Sequence, residues 1–330
     1  MDEDIFMKWF SLIFLTVQNV SLVLMMRYVR TRPGDLFFTS TAVVWSEFFK
    51  FFMSLLILLY TFKMNIKKFL THLRENVIND PWDWLLISVP AILYVLQNNL
   101  LFVAISNLDA ATFQVCYQLK LLTTALFFRL MLGKPQSKVQ WFSLVLLFVG
   151  IGLVQLQGTK PSSNSNESQQ NPTVGIIVVI VASLMSGFGG VYFEKLLKNT
   201  PKNVWIRNVQ LSTYGVVFGL LTVFSTDKTR VISKGFFFGY DYLVWIVIII
   251  QSVGGLLVAV VIKYADNIFK GFATTVAIVL AALISMFLFS FEPGFYFSIG
   301  ASMVIIATIC YSKYPYDATS KTPQEPINTV

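Results

Sequence analysis

Reactive and metal-binding residues are scarce in this chain, which has 2 cysteines and 1 histidine among 330 residues. Cys116 and Cys310 both fall inside hydrophobic runs and His72 stands alone, so a disulfide framework and a zinc site each lack ligands. Charge is scarce too: 13% of residues are Asp, Glu, Lys or Arg, about half the share in a soluble domain. There is no phosphate-cradling glycine loop, no nucleophile elbow and no pair of carboxylates beside a histidine. Redox, hydrolytic-metal and nucleophilic chemistry are thereby set aside. The chain is expected to be no enzyme and to need no cofactor or metal. Met1–Met7 is acidic through Asp2, Glu3 and Asp4, and lacks the basic flank and small-residue cleavage site of a removable leader. The first hydrophobic run is therefore expected to stay as a span.

What is abundant is apolar surface: 55% of residues are hydrophobic and mean hydropathy is +0.67. A net charge of +8 would suit nucleic acid, but the basic residues stand between hydrophobic runs, as orientation signals do. No nucleic-acid partner is expected. Runs long enough to cross about 30 Å of hydrocarbon cover ten segments: Lys8–Tyr28, Thr39–Phe62, Trp84–Ile105, Asp109–Met131, Val139–Leu156, Val174–Leu196, Val204–Phe224, Tyr242–Ile262, Asn267–Ser290 and Gly294–Tyr311. They are long and continuously apolar, unlike the short alternating strands of a barrel. The expected fold is an all-α polytopic membrane protein with ten transmembrane helices.

An even number of spans puts both termini on one side. With the termini cytosolic, that side collects Lys63, Lys67, Lys68, Arg74, Lys134, Lys138 and further lysines, whereas the other holds Arg27, Arg30, Arg32, Lys160, Lys228, Arg230 and Lys234. The positive-inside bias thus predicts cytosolic termini. The polar connection after the fifth span then faces the lumen or exterior and carries the sequon Asn166-Glu167-Ser168. Asp109 and Asp266 open the fourth and ninth spans, 157 residues apart, and the same offset lays the third span on the eighth and the fifth on the tenth. Five spans per copy would invert the second copy and put a site at the repeat interface near the midplane. The expected units are a first repeat over 1–157, a lumenal linker over 158–173, a second repeat over 174–313 and a cytosolic tail over 314–330.

Lys120 lies about halfway along the fourth span, where a charge costs roughly 2.5–3.5 kcal/mol on insertion scales. Phe113, Tyr117, Lys120 and Thr124 share one helical face there, two aromatic planes followed by a cation. That suits a base stacked near a phosphate; the structural alternative is an aromatic packing stripe. Tyr94, Gln97 and Asn98 line a stripe of the third span, able to read a polar edge or to bond neighbouring helices. Ser183, Ser186, Gly187, Gly190 and Glu194 mark a flank of the sixth span, open either to close helix packing or to a sugar. On the seventh, Arg207 reads as an interface anchor and Asn208 as the better ligand. Lys270, with Thr274 one turn on, opens the ninth span and either meets a phosphate or snorkels. Glu47 and Lys50 read as a compensating pair with a structural or gating role, a role also open to Glu194, and Asp109 and Asp266 as helix caps.

At this point the wording of the chain resembles a known family. Leu96–Phe127, Ser186–Leu196, Val204–Gln210, Gly235–Tyr240 and Gly254–Phe272 are similar to the nucleotide-sugar transporters of the Golgi, in the branch carrying UDP-N-acetylglucosamine, UDP-galactose and CMP-sialic acid. The resemblance runs from about Ser21 to Tyr311, and Ser21–Arg30 and Ser40–Lys50 are most similar to the UDP-N-acetylglucosamine carriers. It implies two inverted five-helix repeats in a Golgi membrane, exchanging a cytosolic UDP-sugar for lumenal UMP. By position it implies a nucleotide site of Tyr94, Gln97, Asn98, Phe113, Tyr117, Lys120, Ser186, Asn208 and Lys270, with Gly187 and Thr274 beside it. The sialic acid carriers show tyrosine where this chain has Phe113, which weakens a CMP-sialic acid cargo, and the GDP-mannose carriers' signature is absent. Expected partners are the UDP-sugar, UMP and the bilayer, with a homo-oligomer or glycosyltransferase association also open. A small-metabolite permease of the same superfamily is the alternative from another class.

Overall fold

A computed structural model describes residues 2–78, 81–133, 135–156, 171–198, 203–264 and 267–314; within these ranges the side chains of 2–8, 11, 77, 78, 155, 197, 198, 258–272, 274 and 275 stand outside the described set. The sequon at Asn166, Asp266 and the tail beyond Tyr314 fall outside the described residues, as do the side chains of Lys270 and Thr274.

The described residues form helices and no strand. In order they are α1 (Asp2–Thr31), α2 (Thr39–Thr61), α3 (Ile66–Leu73), α4 (Pro81–Asn107), α5 (Ala110–Cys116), α6 (Leu119–Leu132), α7 (Lys138–Leu156), α8 (Pro172–Lys198), α9 (Val204–Thr226), α10 (Lys228–Lys234), α11 (Tyr242–Tyr264), α12 (Asn267–Leu288) and α13 (Phe295–Lys313). Seven segments among the described residues are long and apolar enough to cross a membrane, the α5–α6 stretch counting as one. Shorter apolar stretches, Lys138–Val154, Tyr242–Leu257 and Val276–Leu288, lie in α7, α11 and α12. Helices are what lipid allows, because each backbone amide must find its acceptor within the segment. Besides the buried core, many apolar side chains face outward: Phe287 is 86% and Leu130 68% exposed, while the polar Arg207 and Gln210 are 0% exposed.

Helix contacts come in matched sets. α4 packs on α8 and α1 on α11; α6 packs on α8 and α12 on α1; α4 meets α9 and α2 meets α11. α2 also lies along α9, and α7 along α13. The last crossing is backbone to backbone: a Cβ added at Gly150 would stand 2.8 Å from the Gly300 carbonyl oxygen, and Gly300 packs as tightly on Gly150. The main core, including Val95, Phe102, Phe113, Ile248 and Ile278, lies where α1, α4, α5, α11 and α12 converge.

Three expectations need correction. The fourth span is not one unbroken helix, since α5 ends at Cys116 and α6 begins at Leu119. Across the join Gln118 N donates to Val115 O (3.1 Å), Lys120 N to Tyr117 O (3.2 Å) and Leu121 N to Gln118 O (2.8 Å), the three-residue spacing of a tighter turn. Asp109 occupies the N-cap position of α5 but makes no side-chain cap; its carboxylate lies 3.6 Å from Arg27 Nη2 instead. Arg27 is not a loop charge either. It is 4% exposed within α1 and donates to the Ile105 carbonyl at 3.0 Å, capping the end of α4.

Candidate functional site

The break between α5 and α6 sets the geometry around Lys120. Phe113 and Tyr117 stack, with ring centroids 5.7 Å apart and planes 11° from parallel. Lys120 Nζ lies over the Tyr117 ring, 4.6 Å from its centroid, so the half-buried ammonium is held by a π face. The Tyr117 hydroxyl in turn accepts from Gln97 Nε2 at 2.8 Å, with Ser186 of α8 as its other polar neighbour. One tyrosine thereby ties the α5–α6 join to α4. The side-chain oxygen of Gln97 is buried and has no hydrogen-bond partner.

Small residues on α8 let this cluster form. A Cβ at Gly189 would come within 3.2 Å of Tyr94 Cε1, so the Tyr94 ring rests on bare backbone. Gly187 faces the Thr123–Thr124 backbone, where a Cβ would meet Thr123 Oγ1 at 2.5 Å, and Thr123 Oγ1 donates to the Ser183 carbonyl at 2.7 Å. Gly187 and Ser183 therefore serve helix approach. Gln97, Phe113, Tyr117 and Lys120 are joined by these contacts, with Ser186 beside Tyr117 and Tyr94 one turn before Gln97 on α4. Glu194 stands two turns further along α8, half-buried.

A second network adjoins the first through neighbouring residues Gln97 and Asn98. Lys50 Nζ lies 2.6 Å from Glu47 Oε1, and Asn98 Nδ2 lies 3.4 Å from the same oxygen. The Glu47 side chain is 3% exposed and packs on Gly215 of α9, where a Cβ would be 2.5 Å from Oε2. The Lys50 stem passes Gly255 of α11 at 2.8 Å from a built Cβ. The expected pair is thus real and spans four helices. Asn208 is half-buried on the same α9, nearer its start.

Arg207 was expected to anchor the interface and does not. It is 0% exposed, donates to both carboxylate oxygens of Asp83 at 2.7 Å and to Gln210 Oε1 at 3.0 Å, while Gln210 Nε2 donates to Asp83 Oδ2 at 2.9 Å. The opposite end of the bundle has a counterpart, where Arg32 donates to Asp241 ahead of α11. There the Arg32 hydrogen bond holds the Asp241 carboxyl below the ordinary carboxylate range and raises Arg32. A signal for both lay in the sequence: Trp82-Asp83-Trp84-Leu85 and Tyr240-Asp241-Tyr242-Leu243 repeat one pattern, 158 residues apart.

The chain matches a family model described as nucleotide-sugar transporter over residues 3–312. It belongs to the nucleotide-sugar transporter family. This transporter is 50% identical over 306 residues to a UDP-galactose translocator of Mus musculus, covering 93% of this chain and 78% of the mouse protein. It is 47% identical over 320 residues to a UDP-N-acetylglucosamine transporter of Rattus norvegicus, covering 96% of this chain and 98% of the rat protein. A protein of solved crystal structure superposes with a TM-score of 0.55 at 10% identity, over 90% of this chain and 96% of that one, and shows a shared fold alone. The relatives are transporters, so the protein is a multi-pass membrane transporter and not an enzyme.

Proposed function

We propose that this transporter exchanges a UDP-sugar for UMP across the Golgi membrane by alternating access, with UDP-N-acetylglucosamine as the first cargo assigned. The observation that carries the reading is the Lys120 ammonium held over Tyr117 at a break in a membrane-crossing helix. A cation at that depth is stable when a polyanion can join it, and irregular backbone within a bundle marks ligand paths. In this reading Lys120 and Lys270 neutralise the phosphates, the Tyr117 ring backed by Phe113 offers the base a stacking plane, and Tyr94, Gln97, Asn98, Ser186, Asn208 and Thr274 supply hydrogen bonds. UDP-galactose is the second reading, favoured by the 50% identity to the mouse translocator.

Ten spans in two inverted five-helix repeats are supported by three pairings between the halves that recur with roles exchanged, α4–α8 with α11–α1, α6–α8 with α12–α1 and α4–α9 with α11–α2. Cytosolic termini are supported by the lysines near α3 and by the arginines at the other end. Arg27 and Arg32 are bound to Asp109 and Asp241, which leaves that end still fewer unpaired positive charges. Asp83–Arg207 then closes the cytosolic end, and Arg32–Asp241 the lumenal end. Exchange follows because an empty cationic site crosses a low-dielectric barrier poorly, and UMP relieves that cost on the return.

Proteoliposomes preloaded with UMP should take up labelled UDP-N-acetylglucosamine faster than empty ones; equal rates would remove obligatory exchange. Competition by UDP-galactose, CMP-sialic acid and GDP-mannose ranks the cargoes, and stronger competition by UDP-galactose would make it the first cargo.

A further inference from the structure

The connection from α2 to α4 is built as a surface helix whose apolar face is exposed at Ile66 and Leu70 and half-buried at Phe69 and Leu73. Lys63 and Met64 take left-handed backbone, φ +51° and +60°, rare in residues with side chains, and turn the chain at the end of α2. Asn65 then caps α3, its Oδ1 accepting the Lys68 amide at 3.1 Å. Ile66, Phe69, Leu70 and Leu73 recur at i, i+3, i+4 and i+7 along one face of α3. No residue of α3 is buried, and Ile66 is 63%, Leu70 55% and the adjoining Met64 63% exposed. Lys63, Lys67, Lys68 and Arg74 are exposed around this stripe.

An eight-residue helix is not stable alone, so the apolar face needs something to lie on. α3 starts five residues after a membrane-crossing helix ends and leads into another, which holds it at headgroup level. Short amphipathic helices with this arrangement lie in the interface, apolar side toward the acyl chains and basic side among the phosphates. We infer that α3 is an interfacial anchor whose Lys63, Lys67, Lys68 and Arg74 bind anionic phospholipid headgroups. The inference rests on the membrane-crossing fold and, for the leaflet, on the proposed orientation; the cytosolic leaflet is the more anionic one. The connection from α9 to α11 differs, because Lys234 of α10 already lies over the chain's own Phe238 ring at 4.4 Å.

The test uses the full chain in nanodiscs of phosphatidylcholine with or without phosphatidylserine, reading lipid retention by native mass spectrometry and thermal stability beside it. Wild type should retain phosphatidylserine preferentially. Lys63→Gln/Lys67→Gln/Lys68→Gln should lower that preference about a hundredfold, at roughly fivefold per charge. Ile66→Ser/Leu70→Ser should also weaken it, whereas the matched variant Lys138→Gln/Lys195→Gln/Lys313→Gln should keep it. Equal retention by wild type and the Lys63 triple variant, or equal loss in the matched variant, would overturn the proposal. Displacement of the lipid by soluble inorganic phosphate would overturn it as well. UMP binding measured on the same samples should survive in every variant; its absence from wild type would count against the transport reading and leave the lipid result standing.

Discussion

Arg207 Nη1 lies 2.7 Å from both carboxylate oxygens of Asp83, and neither side chain is more than 6% exposed. Removing one partner of a buried pair leaves a desolvated charge, which costs about 3–5 kcal/mol. Arg207→Gln and Asp83→Asn should each lower thermal stability in detergent strongly, and the double variant should be less unstable than the sum. If the pair closes the cytosolic end, surviving Asp83→Asn protein should also expose α9 cysteine probes to cytosolic reagents more than wild type does.

Lys120→Ala should weaken UMP binding about ten- to a hundredfold, the worth of a charge-assisted hydrogen bond of roughly 1.5–3 kcal/mol. Ligand-induced thermal shift measures it. Because Lys120 is half-buried and rests on Tyr117, the unliganded protein should unfold close to the wild-type temperature. Unchanged UMP affinity would remove this lysine from the site.

Tyr117→Phe deletes the hydroxyl that accepts from Gln97. The orphaned Gln97 donor should cost about 1–3 kcal/mol, and Gln97→Leu in the same protein should recover part of it. Nucleotide binding should fall in both variants, since the second restores packing and supplies no polar contact. A double-mutant cycle in stability and in UMP affinity separates the two effects.

Gly300→Leu should disrupt the crossing of α7 and α13, because a built Cβ already collides with the Gly150 carbonyl oxygen and Val154. Gly152, with open space around its built Cβ, should accept Ala with little change in unfolding temperature.

The Arg32 hydrogen bond lowers the Asp241 carboxyl below its ordinary value. A lowered acid contributes stability in full above the unfolded value, about 3.9, and loses it as pH falls through the folded one. The stability difference between wild type and Asp241→Asn should therefore be flat from about pH 5 to 8 and shrink only below about pH 4. Thermal unfolding across that range checks it.

The contacts among Lys120, Tyr117 and Gln97, and that of Asn98 with Glu47, stand where polar groups interrupt apolar runs, a pattern legible in the sequence; their part in holding a nucleotide is a proposal. The Glu47–Lys50 pair was legible for the same reason. Arg207 reads from the sequence as an interface anchor because it stands near a span end, and the sequence does not say which way a side chain turns. Asp83 was missed outright, standing one residue before the expected start of its span, although the Trp-Asp-Trp and Tyr-Asp-Tyr repeat marked it.

By itself the sequence determined that this is a helical membrane protein of a recognisable transporter family, because lipid leaves a long apolar run no other way to satisfy its backbone. Only the tertiary structure decided that the fourth span breaks at Tyr117, that Arg27 caps α4 and that Asp83 meets Arg207 across 124 residues. Hydropathy reports how long a segment is and how apolar. The pairing of its few polar groups depends on helix rotation and on neighbours distant in sequence, and those are fixed only when glycines such as Gly187, Gly215 and Gly300 let the helices close.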